Sequence, residues 1–388
     1  MIGSLARTPL FEWHQAHGGR LVDFAGWEMP VSYSSIVAEH TATRTAVGLF
    51  DISHMGRLHF TGADAEAALE RIVTRRIAGL ATGQAVYSLI TNDAGGILDD
   101  VLVYKLADDA GTPYFIVVVN AGNREKIVAW FEKQLAAQKQ SAPQLDVEML
   151  DRTLEWGMIA VQGPRALELV RPFLSVDPNS LRYYHAAEAR IGGPLGIVSR
   201  TGYTGEDGVE LIVGASTLYA LWETLLMQGR PLGATAAGLG CRDTLRLEAA
   251  MPLYGHELSE QIDPFQAGLG FAVDLEKEFP GRDALVAAKA DKSRPVRAGL
   301  MLEGKRVPRE GFAILESAAA RETASAATVG QVTSGTFSPT LERPIAMAYV
   351  DRTVATPERV LAVDIRGRAE PATVVKLPFY RRTERTSA

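Results

Sequence analysis

Apolar and polar positions divide the chain into three stretches of different pattern. Residues 57–152 predict a compact α/β unit. Arg57-Leu-His-Phe alternates as a strand does and stops at Thr61-Gly62. Ala65, Ala68, Leu69 and Ile72 then recur at helical spacing. Residues 85–90 and 97–106 read as the strands of a hairpin. Asn92-Asp-Ala-Gly-Gly joins them, because Asn, Asp and Gly tolerate positive φ. Residues 114–119 form a further strand. Ile127, Trp130, Phe131 and Leu135 mark a helix, and residues 147–150 close the unit. The order β-α-β-β-β-α-β is a ferredoxin-like plan with one extra strand.

Residues 156–280 mix strands and helices. Residues 158–161 form a short buried strand, and Gly163-Pro164 leads into a helix through Leu167, Leu169 and Val170. Strands at 197–200 and 209–213 flank Thr201-Gly-Tyr-Thr-Gly-Glu-Asp-Gly208, whose three glycines predict a tight loop. Helices follow near 218–227 and after Gly238-Leu-Gly240. Beyond a linker at 291–295 the pattern is short strands and turns, among them 298–302, 346–350 and 360–365, which predicts a small β-barrel or sandwich. Ser317–Ala327, rich in Ala, Thr and Ser, reads as a surface loop.

Length agrees with several units: 388 residues exceed what one ordinary core organises. Hydrophobic residues at 47% and charged residues at 22% exclude a disordered, collagenous or coiled-coil chain. With 40 basic against 46 acidic residues, no general polyanion binder is encoded, and no nucleic-acid partner is expected. The longest apolar run, residues 115–119, has strand length, so no membrane span is expected. The first residues lack an apolar segment of signal-peptide length, and the single cysteine, Cys241, suits a reducing compartment. A soluble, cytoplasmic protein is expected, with Cys241 as a small packed side chain.

No phosphate loop, H-E-x-x-H helix or dinucleotide fingerprint is present. His14 and His17 could share one side of a helix, but they lack an obvious third ligand and read as a surface pair; no metal site is expected. The informative segment is Gly95-Gly-Ile-Leu-Asp99-Asp100-Val-Leu-Val-Tyr104, which sets two carboxylates in an apolar strand. Adjacent strand residues face opposite ways, so one of them enters an interior or a cavity. Asp99 reads as a strand-start aspartate bonded to turn amides. Asp100 is the candidate for proton handling, since a desolvated carboxylate takes a raised pKa and serves as acid or base. Glu210 follows the glycine-rich loop inside an apolar run. It is either a bidentate acceptor for a planar, amidine-like edge or a solvent-facing residue of an edge strand. Tyr87, Tyr183, Tyr184 and Tyr203 could line a pocket for a flat ring, though tyrosine is also an ordinary strand residue.

Several longer runs carry a resemblance over almost the whole chain. They are Arg7-Thr-Pro-Leu-Phe-Glu-Trp-His, Val22-Asp-Phe-Ala-Gly-Trp-Glu-Met-Pro, Gly48-Leu-Phe-Asp-Ile-Ser-His-Met-Gly and Gly95-Gly-Ile-Leu-Asp-Asp. Further on come Ser199-Arg-Thr-Gly-Tyr-Thr-Gly-Glu-Asp-Gly, Cys241-Arg-Asp-Thr-Leu-Arg-Leu-Glu-Ala, Leu253-Tyr-Gly-His-Glu and Thr333-Ser-Gly-Thr-Phe-Ser-Pro-Thr. With these the sequence resembles the aminomethyltransferase (T-protein) family of the glycine cleavage system. The resemblance implies an α+β fold, a three-domain cloverleaf with a ferredoxin-like insert and a C-terminal β-barrel. It places a discontinuous first domain at 1–52 and 152–280, the insert at 53–151 and the barrel at 290–388. It implies tetrahydrofolate as co-substrate in a central channel and lipoylated H-protein as a transient partner. The one-carbon unit of the aminomethyl group passes to tetrahydrofolate, giving 5,10-methylenetetrahydrofolate and ammonia.

By the same resemblance Asp100 is catalytic, Glu210 binds the pterin, and Arg242, Tyr87, Asn120, Tyr183 and Tyr203 complete the folate pocket. The sequence departs from the family in Cys241, where alanine is usual, and in Phe279-Pro-Gly-Arg-Asp, where Phe-Val-Gly-Lys-Glu is typical. The alternative is a folate-dependent demethylase of the same superfamily, acting on a small methylated substrate without H-protein. A non-catalytic iron–sulfur accessory protein would carry a Lys-Gly-Cys-Tyr-type loop, which is absent, and no FAD-binding half accompanies this chain.

Overall fold

The computed structural model describes residues 4–317 and 327–382. Three β systems organise the chain. The first is a six-stranded sheet in the order Ala186–Arg190, Leu195–Ser199, Gly208–Gly214, Trp156–Gln162, Val47–Asp51, Ala234–Ala236. Val47–Asp51 is buried at every residue, as expected of an inner strand covered on both faces. Glu210 therefore lies on an interior strand, paired with Ser199 on one side and Ala160 on the other, and is not an edge residue.

After Val47–Asp51 the chain leaves this sheet and builds the second, in the order Ala85–Thr91, Ile97–Ala107, Pro113–Val119, Gly56–Thr61, Glu148–Asp151. Helices Ala65–Glu70 and Arg124–Ser141 complete the ferredoxin-like plan. Ile127, Phe131 and Leu135 recur every four residues on the longer helix and bury one stripe against the sheet, with Phe131 edge-on to Phe60 at 5.0 Å. The chain then returns through Trp156–Gln162. Arg57, wholly buried, stitches the outward and return crossings together. Its Nη2 donates to the carbonyls of Ser53 (2.9 Å), Thr153 (2.5 Å) and Trp156 (2.8 Å).

The third system is a closed six-stranded barrel in the order Val296–Leu302, Arg343–Val350, Thr328–Ser338, Ala313–Leu315, Val360–Ile365, Arg368–Val375. Helix Leu239–Glu248 anchors it to the first sheet. Glu248, fully buried, accepts from Ser338 Oγ (2.5 Å) and Thr340 Oγ1 (2.8 Å) of the barrel and from Arg44 Nη2 (2.8 Å). The expected surface loop Ser317–Ala327 falls, apart from its two end residues, outside the described residues.

One sequence expectation is corrected here. His14 is not a surface residue: it is fully buried, with its Nε2 at 3.0 Å from Asp51 Oδ2 and its Nδ1 at 2.8 Å from the Tyr33 hydroxyl. Asp51, 37 residues away in sequence and supplied by the first sheet, gives the ring a carboxylate partner that helical spacing alone does not reveal. His17 does reach the surface, stacked on Trp13 at 4.0 Å.

Candidate active site

The two sheets and the barrel meet around a cavity of about 480 Å³. Tyr87 and Asp100 enter it from the ferredoxin-like sheet, Glu210 from the first sheet, Arg242 from the anchoring helix and Arg297 from the barrel. Phe24, at the end of strand Arg20–Phe24, and the turn residues Asn120 and Tyr203 complete the walls.

The hairpin carrying Asp100 is set by its glycines. Gly95 holds φ +81, and a Cβ on Gly96 would lie 1.8 Å from the Glu260 carbonyl oxygen. Ile97 N also bonds the Ser259 carbonyl at 3.1 Å, so the turn is tied to the segment leading to the barrel. From this anchor the strand alternates. Asp99 is wholly buried and Asp100 opens on the cavity. Asp99 accepts from the Asn120 backbone N–H (3.0 Å), Asn120 Nδ2 (2.8 Å) and Asn123 Nδ2 (2.6 Å). Its amide partners thus lie after Pro113–Val119, not in the hairpin turn.

Asn120 Nδ2 also reaches Asp100 Oδ1 at 2.8 Å, and the Tyr87 hydroxyl donates to Asp100 Oδ2 at 3.0 Å. One amide therefore holds two carboxylates from opposite faces of a strand. Burial raises the pKa of Asp100, while the bonds from Tyr87 and Asn120 hold it down in part. Asp99 is raised by burial and then by the charge of Asp100, against the pull of its asparagine donors. The two titrate as a pair, with one proton held to higher pH than an ordinary aspartate allows.

At the other wall Glu210 is buried, and its Oε2 accepts from Thr201 Oγ1 at 2.5 Å. Oε1 has no protein partner among the described residues. Burial raises the pKa of Glu210, and Thr201 and Arg242 oppose the rise. The Arg242 side chain makes no hydrogen bond to the described residues, and its Nη1 is buried and unpartnered. Its guanidinium lies over the Tyr203 ring at 4.7 Å, and the Tyr203 hydroxyl donates to the Pro252 carbonyl. A carboxylate oxygen and a buried guanidinium nitrogen, neither hydrogen-bonded to any described residue, mark a place for a polar ligand.

Of the residues singled out by sequence, Tyr87, Asp100, Asn120, Tyr203, Glu210 and Arg242 line this one cavity. Tyr183 does not. It is 46% exposed, whereas Tyr184, also a candidate pocket tyrosine by sequence, lines the cavity. Both tyrosines sit in the turn before Ala186–Arg190, where Tyr184 holds φ +58 and no strand alternation applies. Sequence reasoning passed over Phe271 and His54. Phe271, 65% exposed, stacks on Tyr87 at 6.0 Å where the cavity opens. His54 lies inside the Gly48–Gly56 run quoted above, where no charge pattern sets it apart.

Comparison with known proteins agrees with this architecture. Residues 10–277 match the family model described as GCVT N-terminal domain, and residues 296–381 match the glycine cleavage T-protein C-terminal barrel domain. An aminomethyltransferase of Rubrobacter xylanophilus is 47% identical over 382 residues, covering 98% of this chain and 95% of that protein. One from Saccharopolyspora erythraea is 42% identical, covering 98% and 100%. The crystal structure of glycine cleavage system aminomethyltransferase T from Bartonella henselae superposes with a TM-score of 0.87 at 32% identity, covering 98% of this chain and all of that one. Fold and full-length identity together define a one-carbon transferase of the aminomethyltransferase class. The chain belongs to the glycine cleavage T-protein family.

Proposed function

We propose that the cavity binds tetrahydrofolate and that the chain transfers to it the one-carbon unit of an S-aminomethyldihydrolipoyl arm carried by the H-protein. The observation that carries the reading is the placement of Asp100. It is a carboxylate with a raised pKa, held by Tyr87 and Asn120, in the same cavity as the unpartnered Glu210 Oε1 and Arg242.

The chemistry asks for such a group. In the donor a methylene joins sulfur to nitrogen, and its C–N and C–S bonds both break. Two new C–N bonds form to N5 and N10 of the folate. The protons those nitrogens give up leave on ammonia and on the freed thiol. An amine departs well only when protonated, and a folate nitrogen attacks only with its lone pair free. Asp100 serves both needs by carrying a proton between the reacting nitrogens and by stabilising a cationic one-carbon intermediate. Glu210 receives the donor edge of the pterin, whose 2-amino and N3–H groups match a carboxylate. Tyr87, Tyr184 and Tyr203 offer faces and edges to flat rings.

The test is ammonia release from aminomethylated H-protein, with and without tetrahydrofolate. Release that requires both is the expected result. Release that proceeds as fast from a free methylated amine, or without folate, would overturn the reading. The chain is expected to work in the cytoplasm; among the described residues no helix is long and apolar enough to cross a membrane.

A further inference from the structure

His54 is the one cavity-lining histidine that is buried, at 2% exposure, and it makes no hydrogen bond to any described residue. His59, outside this cavity, also has a buried Nδ1 without a partner, but the other fully buried histidines are satisfied. His14 has Asp51 and Tyr33, and His40 has Thr244 and Thr340. A buried imidazole without partners is costly, so its lack of partners calls for a physical account.

Its two nitrogens are not equivalent. Nδ1 is shut off from solvent and has no acceptor near it. A neutral imidazole carries one N–H, and burying that donor unpaired costs more than burying a lone pair unpaired. The proton therefore sits on Nε2, the nitrogen left to the cavity. The ring is also held neutral. Burial lowers its pKa to about 3 against the opposing pull of Asp51, and the Arg242 and Arg57 cations act in the same direction as burial. The Phe24 ring, edge-on at 5.5 Å, fixes the imidazole plane from one side.

Glu210 presents an acceptor to the cavity, and Arg242 presents donors. A pterin edge pairs donors, the 2-amino and N3–H groups, with an adjacent acceptor, the 4-oxo oxygen. We propose that His54 is a further recognition residue, whose neutral Nε2–H donates to the 4-oxo oxygen of the bound pterin beside Arg242. The inference rests on the folate reading given above and deepens it. It makes the site selective for oxo-pterins over 4-amino-pterins, because an amino group there would set donor against donor.

The experiment uses the full chain with histidine labelled in nitrogen-15. Calorimetry first establishes that tetrahydrofolate binds; if it does not, the folate reading itself falls, and this inference with it. With binding established, the His54 ring should give the neutral, Nε2-protonated signature at pH 6 and 7, and its Nε2–H proton should move downfield at saturation. His54→Leu should weaken tetrahydrofolate about tenfold or more, while His54→Gln, which keeps a side-chain donor, should recover most of the loss. The His54→Leu loss should be absent for the 4-amino analogue of tetrahydrofolate. A charged ring, an Nδ1-protonated ring, or an Nε2–H unmoved by saturating folate would overturn the proposal. So would equal weakening of the oxo and amino ligands, which is the mark of lost packing.

Discussion

The Tyr87 hydroxyl donates to Asp100 Oδ2 at 3.0 Å across two antiparallel strands, where Tyr87 stands opposite Leu102 and Asp100 is its diagonal neighbour. The bond is built into the register of the hairpin, and it favours the ionised carboxylate over the acid. Removing it moves the Asp100 pKa further up, in the direction that burial already drives it. Tyr87→Phe should therefore shift the acidic limb of the single-turnover rate to higher pH, leaving the rate at high pH closer to wild type. A pH profile of both proteins reads this directly; an unmoved limb would separate Asp100 from the titration that governs the rate.

Glu210 meets the ligand as a carboxylate whose second oxygen has no protein partner. Glu210→Gln places an amide N–H where the pterin presents its own donors, so tetrahydrofolate should bind about ten- to a hundredfold more weakly. The raised pKa adds a second signature. Wild-type affinity should fall as acid protonates the carboxyl, and the variant's should be flat across the same range. Calorimetric titration at several pH values measures both, and an unchanged dissociation constant would remove Glu210 from the ligand.

Glu248 tests how the barrel is held. Burial alone would raise its pKa, but His40, Arg44 and the Ser338 hydroxyl outweigh burial and bring it to about 2, against an ordinary 4.5. Because the folded value is depressed, this stabilisation is in place above pH 4.5 and is lost as pH falls towards 2. Glu248→Gln removes one of the two buried carboxylates that Arg44 pairs with, the other being Glu206, and should cost roughly 3 kcal/mol near neutrality. Urea unfolding at a series of pH values should show the gap between variant and wild type narrowing in acid. A gap independent of pH would mean that the residue acts by shape alone.

Much of this was legible in the sequence because the signals were local. Gly95-Gly96 and the paired aspartates announce a turn followed by a strand with a carboxylate to spare, and alternation assigns Asp100 to the cavity. The helix stripe of Ile127, Phe131 and Leu135 is equally local. What escaped depends on partners far away in sequence. His14 reads as a surface residue until Asp51 is placed beside it at 3.0 Å. Which of Tyr183 and Tyr184 faces the cavity is decided inside a turn, where Tyr184 holds a positive φ and strand alternation says nothing. Asp99 and Asp100 do point to opposite faces, yet Asn120 bridges them, because it lies two residues beyond the Val118–Leu102 pair and so comes beside Asp100 on the neighbouring strand. His54 carries no local signal at all; its meaning lies in the absence of a partner, which only the packed structure reveals.

The central claim is that Asp100 carries the proton and charge of the transfer step. Asp100→Asn keeps the side chain's shape and its contacts with Tyr87 and Asn120 in reach, while removing charge and proton transfer. The direct measurement is single-turnover ammonia release from aminomethylated H-protein, with tetrahydrofolate at saturation and its binding to the variant verified by calorimetry. The account predicts a rate lower by about 10²–10⁴ with folate affinity little changed. A variant that binds folate and releases ammonia within a few-fold of the wild-type rate would contradict it.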